Sequence, residues 1–564
     1  MLEFFFGLIL ILAPFAPIGL FEDKKKGFIC TLFFVIVWHT TVAFFTQLYG
    51  VFDYKVIVLL NVLAGIGAIF MFFKHKNRAL KFRVDIVALI MLSIFAVNLY
   101  QVHYNYTGKI NLVVDNNSIY HDIKSFDYLY PYYSDEWYSV AIIKEVIATK
   151  SLPLENPFVK GEMFVNLEMF FHSFLAELFL ILRLNPLTNY ALFSIVFNSL
   201  IALVLYLFLR IEKIGKLIAS ISSLSLLYIV SGSNLPGIWN LIPMTMGVLT
   251  SLIGFCFLAL KKDKLALSNF IIVFVFYPPF AFFYLIALII YFLGQKDIFK
   301  KTKEDAKKFI FYIFSVIFIF YAAFKIFPFF ENIIKFVFSK IFYPSFTFGL
   351  TPDYDIYKII PWPVILFSVF GIYVFIKHKK WLAVQIFGGL VLWSLYSFLD
   401  YRIIVEYQRI VFFTSIILCI SFGFGLDFVI KLAIKKWRKR ERLIIFAQIV
   451  VIIFTAALTP FYTQRQGWMD LYLKDKDGNK LSPKAPANIY LTDDDNRIFK
   501  NIKGKKFLSA PWKGTVIAVA TDNFPISTKA GTITMNQDLF REFSIADCSG
   551  KNKIAKEMNI DYIY

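Results

Sequence analysis

Apolar residues in this chain come in long runs separated by short polar or basic segments. The runs fall roughly at 4–20, 28–48, 55–73, 84–101, 164–182, 188–209, 217–232, 240–260, 266–276, 279–293, 309–327, 362–376, 381–399, 410–430 and 443–461. Most hold about 17 to 25 residues, enough for a helix to cross a ~30 Å hydrocarbon core. They are too long and too uniform for the alternating strands of a membrane barrel. The pattern predicts an all-α polytopic membrane protein. The stretch 462–564 is different. It is polar, with turn signals at Lys476-Asp477-Gly478-Asn479 and Asp493-Asp494-Asp495-Asn496, and a strand-like run Val516-Ile517-Ala518-Val519-Ala520. A small soluble C-terminal α/β domain is expected there, with Asp493 to Asp495 in a solvated turn.

Composition narrows the class. Of 564 residues, 58% are hydrophobic and 17% charged, where a soluble protein carries roughly 25% charge. The mean hydropathy is +0.65. A soluble enzyme, a disordered chain and a nucleic-acid-binding domain are excluded. The net charge of +20 does not point to nucleic acid, because Lys and Arg cluster between apolar runs, as cytoplasmic loops do. The clusters are Lys24 to Lys26, Lys74 to Arg83, Arg210 to Lys216, Lys261 to Lys264, Lys296 to Lys308, Lys377 to Lys380 and Lys431 to Arg442. With all of them cytoplasmic, the N-terminus, 102–163, 233–239, the Tyr277-Pro278-Pro279 turn, 328–361, 400–409 and 462–564 lie outside. One run is then too many. The run 164–182 carries Asn166, Glu168, His172 and Glu177, and charge at bilayer depth is costly. It is expected as an interfacial helix on the external face. About 14 transmembrane helices remain, in a multi-pass plasma (inner) membrane protein. The first apolar run has no basic n-region and no small-residue cleavage site, so it is expected to be retained. Cys30, Cys256 and Cys419 lie in apolar runs and Cys548 stands apart, so no disulfide framework or metal site follows from the cysteines.

The external loop 102–163 holds the most chemistry. It reads Tyr130-Pro131-Tyr132-Tyr133-Ser134-Asp135-Glu136-Trp137-Tyr138, then a helical stretch to Thr149, then Ser151-Leu152-Pro153. A general base needs a carboxylate held close to an acceptor hydroxyl. Adjacent Asp135 and Glu136 cannot both aim at one point from a helix, so one acts and the other supports. The competing reading makes Asp135 the N-cap of a helix over 136–149. The tyrosines around the pair suit stacking on sugar rings; an interfacial aromatic belt is the plainer alternative.

This acidic pair, in its place within the topology, resembles the GT-C superfamily of membrane glycosyltransferases, which includes protein O-mannosyltransferases and aminoarabinose lipid A transferases. The likeness rests on Asp135-Glu136-Trp137-Tyr138, Ile142 to Thr149, Ser151-Leu152-Pro153, the segment Asn166 to Leu182, and the span Ser194 to Arg210 with its basic loop. It continues through the polar turn Ser231 to Asn240 and the helix pair broken at Tyr277-Pro278-Pro279, where the family's Lys is missing. It covers roughly 84–300, within a GT-C-like domain 84–461. Residues 1–83 lie outside the shared core.

The resemblance implies a polyprenyl-phosphate-linked sugar donor and a glycan, lipid or protein acceptor, joined on the extracytoplasmic face with inversion. Asp135 would be the base and Glu136 its support. The leaving lipid phosphate needs cations, and the planar fork of Arg suits it. Arg402 and Arg409 are candidates, with pairing to Asp400 and Glu406 as the alternative. Lys160 and His172 flank the start of the interfacial helix, near a phosphate-contacting Lys of the family, although the prolines of that motif are missing; a satisfied interfacial histidine is the alternative for His172. No cofactor follows with certainty; a divalent metal ion is the one candidate, with Asp353 and Asp355 of an Asp-Tyr-Asp as its ligands and a common tripeptide in a loop as the alternative. Besides the donor and acceptor, the bilayer is the expected partner. A membrane transporter or flippase for a lipid-linked or small polar substrate is the rival reading. The spans look poor in ionisable residues, which argues against it.

Overall fold

The computed structural model describes residues 2–12, 14–15, 24–75, 85–104, 106–114, 117–126, 129–131, 134–159, 161–229, 238–294, 360–399, 407–436, 491, 493–521, 523–530 and 533–564. Lys160, Arg402, Asp353, Asp355 and the runs 309–327 and 443–461 lie outside the described residues.

The N-terminal helices are α1 (Leu2–Leu12), α2 (Lys24–Leu48), α3 (Tyr54–His75) and α4 (Ile86–Tyr104). Then come an antiparallel hairpin of β1 (Tyr106–Val114) and β2 (Asn117–Phe126), and helix α5 (Ser134–Thr149). The body continues through α6 (Met169–Leu182), α7 (Pro186–Ile211), α8 (Lys216–Leu224), α9 (Pro243–Ala259), α10 (Asp263–Phe276), α11 (Pro278–Gly294), α12 (Trp362–His378), α13 (Lys380–Leu399) and α14 (Tyr407–Lys436). Four of these helices hold segments long and apolar enough to cross a membrane: Gly27–Leu48, Ile86–Tyr104, Pro186–Ile211 and Arg409–Ala433.

Local chemistry explains the boundaries. Asn185 caps α7, its side chain accepting from the Leu187 amide at 2.9 Å, and Pro186 follows where a helix tolerates proline. Pro278 starts α11, and a proline cannot continue the ladder of α10. The outward face of α3 leaves Leu59, Leu63, Ile66, Phe70 and Phe73 bare, each 56% exposed or more. They recur at three- and four-residue spacing, an apolar stripe fit for hydrocarbon and not for water.

Helices α12 and α14 approach unusually closely. The Ser368 hydroxyl donates to the Leu418 carbonyl at 2.8 Å and Ser421 donates back to the Ser368 carbonyl at 2.8 Å. A Cβ on Gly425 would stand 1.8 Å from the Phe367 carbonyl oxygen, and one on Gly371 would stand 1.9 Å from that of Ser421. Small residues and hydroxyls hold helices together where lipid offers no hydrophobic drive.

Contacts sort the helix ends into two groups. At one end the Tyr206 hydroxyl donates to Asp85 at 3.0 Å, Lys216 pairs with Asp85 at 3.2 Å and Lys379 with Glu212 at 2.6 Å. Tyr291 reaches Asp263 at 3.2 Å. The basic loops at 210–216, 261–264 and 377–380 therefore meet at this Asp85 end. Burial pushes the Asp85 carboxyl up, but the Tyr206 hydroxyl and the Lys216 ammonium outweigh it and leave the group below its ordinary range. The opposite end carries Glu136.

The segment 164–182 differs from an interfacial helix in one respect. Helix α6 is 14 residues, about 21 Å. Its two ends are tied to the same end of the bundle: Asn166 donates to the Pro153 carbonyl at 2.9 Å, and the Arg183 guanidinium lies 4.2 Å over the Tyr54 ring. Yet it does not lie on a surface. His172, Ser173 and Glu177 are fully buried, because α1, α2, α3 and α5 wrap the helix and α2 supplies Gln47 and His39 as polar partners. The run 217–232 also differs: it forms the nine residues of α8 and a 3-10 turn at Ser225–Tyr228.

The C-terminal stretch holds α15 (Asp493–Phe499), β3 (Lys506–Leu508), α16 (Pro511–Ala520), β4 (Phe524–Pro525), β5 (Thr528–Ala530), β6 (Ile533–Met535), α17 (Leu539–Ile545), α18 (Cys548–Glu557) and β7 (Tyr562–Ile563). Strands β4, β3 and β7 pair in parallel in that order. The strand-like run 516–520 is helix: Pro511 opens it, and Val516, Ile517 and Val519 bury their side chains in it. Asp495 is not a solvated turn residue. It is 1% exposed in α15 and pairs with Lys513 at 2.6 Å. Replacing Lys513 by Met takes the cation from a buried carboxylate that the Tyr564 hydroxyl also bonds, which costs at most about 3–5 kcal/mol. Limited proteolysis of 491–564 is expected to accelerate in Lys513→Met and to return toward the wild-type rate when Asp495→Asn is added.

Candidate active site

Helix α5 starts where the acidic pair sits. Asp135 and Glu136 both fall in its first turn, where the positive end of the helix dipole favours carboxylates. The helix begins at Ser134, so Asp135 lies inside it and not at the position before it. Ser139, one turn on, donates its hydroxyl to the Asp135 carbonyl at 2.8 Å.

The two carboxylates have different surroundings. Glu136 is 1% exposed. Its Oε1 accepts from the Ser194 hydroxyl on α7 at 2.9 Å and from the Leu241 amide at 3.0 Å. The Leu241 carbonyl in turn accepts from Tyr190 of α7 at 2.7 Å. Next to it, His103 at the end of α4 bonds the Trp239 carbonyl at 2.8 Å, and Thr245 donates to the Asn240 carbonyl at 2.8 Å. The segment 239–241 is thus locked to α4, α5 and α7, with Glu136 as one of the bolts. Asp135 is half-buried.

His172 stands beside this helix. Its ring meets that of Tyr138 edge-on at 5.5 Å. Asn166 orients it: Oδ1 accepts from the Glu168 amide at 3.0 Å, so Nδ2 faces His172 Nδ1 at 3.2 Å. The ring's Nε2 is buried with no hydrogen-bond partner, and so is the indole N–H of Trp239.

Arg409 opens α14, half-buried, 5.5 Å over the Tyr277 ring. Tyr277 packs against Gly247 of α9, where a Cβ would stand 2.6 Å from its own. Gly247 is two turns past Leu241, which Glu136 holds. Arg409 therefore belongs to the Glu136 end. The structure gathers Asp135, Glu136 and His172 around α5, with Arg409 beyond the first turns of α9. Lys160, Arg402, Asp353 and Asp355 stand outside the described residues. Among the described residues no group of three His, Cys, Asp or Glu side chains could hold a metal ion.

Two further features hold α5 in place. Lys150 pairs with Asp53 at 2.9 Å; the Lys150 ammonium and the Lys55 amide hold the Asp53 carboxyl below its usual range. Lys144 donates to the Val519 carbonyl at 2.7 Å, so the C-terminal stretch rests on the same helix. Sequence reasoning missed Ser194, Tyr190, His103 and Trp239. Tyr190 and Ser194 are ordinary residues of an apolar run, His103 and Trp239 stand beside one, and each has its partner 50 or more residues away.

Truncating Glu136 tests its part. Glu136→Ala strands two buried donors, at about 1–3 kcal/mol each, and lowers the melting temperature of the solubilised protein. Glu136→Gln keeps an oxygen for both donors and stays close to wild type. Equal melting of wild type and Glu136→Ala would remove Glu136 from this structural role.

Comparison with protein-family models and with curated proteins finds no match to this chain.

Proposed function

We propose that this chain is a GT-C-like integral-membrane glycosyltransferase, with about 14 transmembrane helices and an external C-terminal α/β domain. It moves a sugar from a polyprenyl-phosphate donor to an acceptor hydroxyl. One observation carries the reading: the acidic pair at the start of α5 is split into a sequestered Glu136 and a half-buried Asp135, at the bundle end opposite the basic loops. Under the positive-inside rule the basic end is cytoplasmic, which makes the Asp135 side extracytoplasmic. Asp135 takes the proton of the acceptor hydroxyl. Glu136 holds the helix start against α7 and Leu241 and so aims Asp135. Arg409, beside the Tyr277 face, receives the lipid phosphate as charge develops on it. The buried Nε2 of His172 and the indole N–H of Trp239 are suited to sugar hydroxyls.

The experiment is mass spectrometry of cell-envelope glycans and polyprenyl-phosphate sugars with and without this chain. Loss of one glycan sugar together with accumulation of its lipid-linked donor is the expected result. Unchanged donor pools contradict it.

The second reading, a transporter or flippase, has one observation in its favour. His39 and Glu177 are both fully buried and bonded to each other at 2.7 Å inside the helix bundle. The spans are less free of ionisable groups than the sequence suggests, and such groups mark transport pathways elsewhere. Sugar flux with no donor turnover would select this reading.

A further inference from the structure

The His39–Glu177 pair belongs to no step of the proposed transfer. His39 lies on α2, nine residues before Leu48, about 13 Å from that end of the helix and near the middle of the apolar segment Gly27–Leu48. Its Nδ1 is 2.7 Å from Glu177 Oε1, and its Nε2 is 3.3 Å from the Ile11 carbonyl of α1. Both ring nitrogens thus face oxygen. The other carboxyl oxygen, Oε2, is buried with no hydrogen-bond partner.

These contacts fix how many protons the pair holds. The Ile11 carbonyl can only accept, so Nε2 carries a proton. The Nδ1–Oε1 bond needs one more. If that proton sat on Nδ1, the pair would be two full charges in an apolar core, with part of the anion on the bare Oε2. Burying such charges costs several kcal/mol each. If it sits on Glu177, the pair is a carboxylic acid donating to a neutral imidazole, and Oε2 is only an uncharged carbonyl. Besides His39, the Ala43 backbone amide faces the Glu177 carboxyl, and His172 is the next titratable side chain along α6.

Two bonded polar residues stand one helical turn from the pair. Four residues before Glu177 on the same face of α6, the Ser173 hydroxyl donates to Gln47 Oε1 at 2.7 Å. Gln47 Nε2 lies 3.4 Å from the Ser173 carbonyl. Gln47 also lines a cleft of about 240 Å³ at the Glu136 end, with Ser151 and Glu155 on its wall.

We propose that His39 and Glu177 form an intramembrane proton-binding site, loaded from this cleft through Gln47 and Ser173. The ligand is one proton, taken from water in the cleft onto Glu177 and shared with His39 Nδ1. The site does not depend on the glycosyl-transfer reading, because it is built on α2 and α6 and leaves Asp135 untouched.

Infrared difference spectroscopy of the full-length protein in detergent tests it. Wild type is expected to show a carboxylic-acid carbonyl stretch at neutral pH that shifts on transfer to D2O. Glu177→Gln removes that band; its amide can still donate to Nδ1, so the packing is kept. Gln47→Leu leaves the band in place and slows its D2O shift about tenfold, the factor for roughly one lost hydrogen bond on the route. A spectrum in which Glu177→Gln removes no acid band overturns the site. A band that shifts equally fast in wild type and Gln47→Leu overturns the route. Sugar transfer measured on the same variants reports separately on the activity.

Discussion

Asp135→Asn is expected to lower sugar transfer by about 10²–10⁴, the usual share of a positioned proton transfer, while donor binding persists. The substitution keeps the shape of the side chain and removes its basicity. It leaves intact the two bonds that Glu136 makes to Ser194 and Leu241, so the helix start stays where it is. The loss should therefore appear in the rate constant of the chemical step and not in donor affinity. Arg409→Ala should do the reverse, weakening donor binding first, because Arg409 sits at Tyr277 and not at the α5 start. Single-turnover transfer of a labelled sugar, with donor binding measured in parallel, separates the two. Wild-type transfer by Asp135→Asn would return the acidic pair to a structural role at the start of a helix.

Gly425→Val is expected to destabilise the membrane bundle by about 3 kcal/mol or more. The side chain would enter the space of the Phe367 carbonyl, 1.8 Å from the ideal Cβ, with the Gly371 amide at 2.8 Å. Backbone atoms cannot swing aside as a flexible side chain does, so α12 and α14 must separate. Separation also breaks the Ser368 and Ser421 bonds across the contact. Gly388→Ala on α13 is the control: nothing lies within 4 Å of its Cβ position, and a helix gains up to about 1 kcal/mol from that change. Thermal melting in detergent should fall sharply for the first and hold or rise for the second. A Gly425→Val protein that melts with the wild type would mean that the two helices do not pack as closely as described.

Continuous apolar length was the legible signal. The run 188–209 is α7, 28–48 is most of α2, and 410–430 lies within α14, because a long apolar run can satisfy its backbone in only one way within lipid. Short-range signals did worse where tertiary contacts decide. The β-branched stretch 516–520 is helical because Pro511 and the packing around Gly514 favour it over a strand. Asp495 looked like a turn residue and is buried by Lys513 from another element. The position and adjacency of Asp135 and Glu136 could be read from the chain, but their unequal burial could not, since Ser194 and Leu241 are 58 and 105 residues away. Glu177 was the sharpest failure of local reasoning. Its charge argued for an external surface, and its partner His39 is 138 residues distant.

Under the proposed function this chain breaks the bond between a sugar and a polyprenyl phosphate. Purified protein in proteoliposomes, given a polyprenyl-phosphate sugar and an acceptor, tests it by direct assay of the free lipid phosphate. One polyprenyl phosphate released for each sugar found on the acceptor is the expected result. Sugar carried across the bilayer with its lipid linkage intact would contradict it.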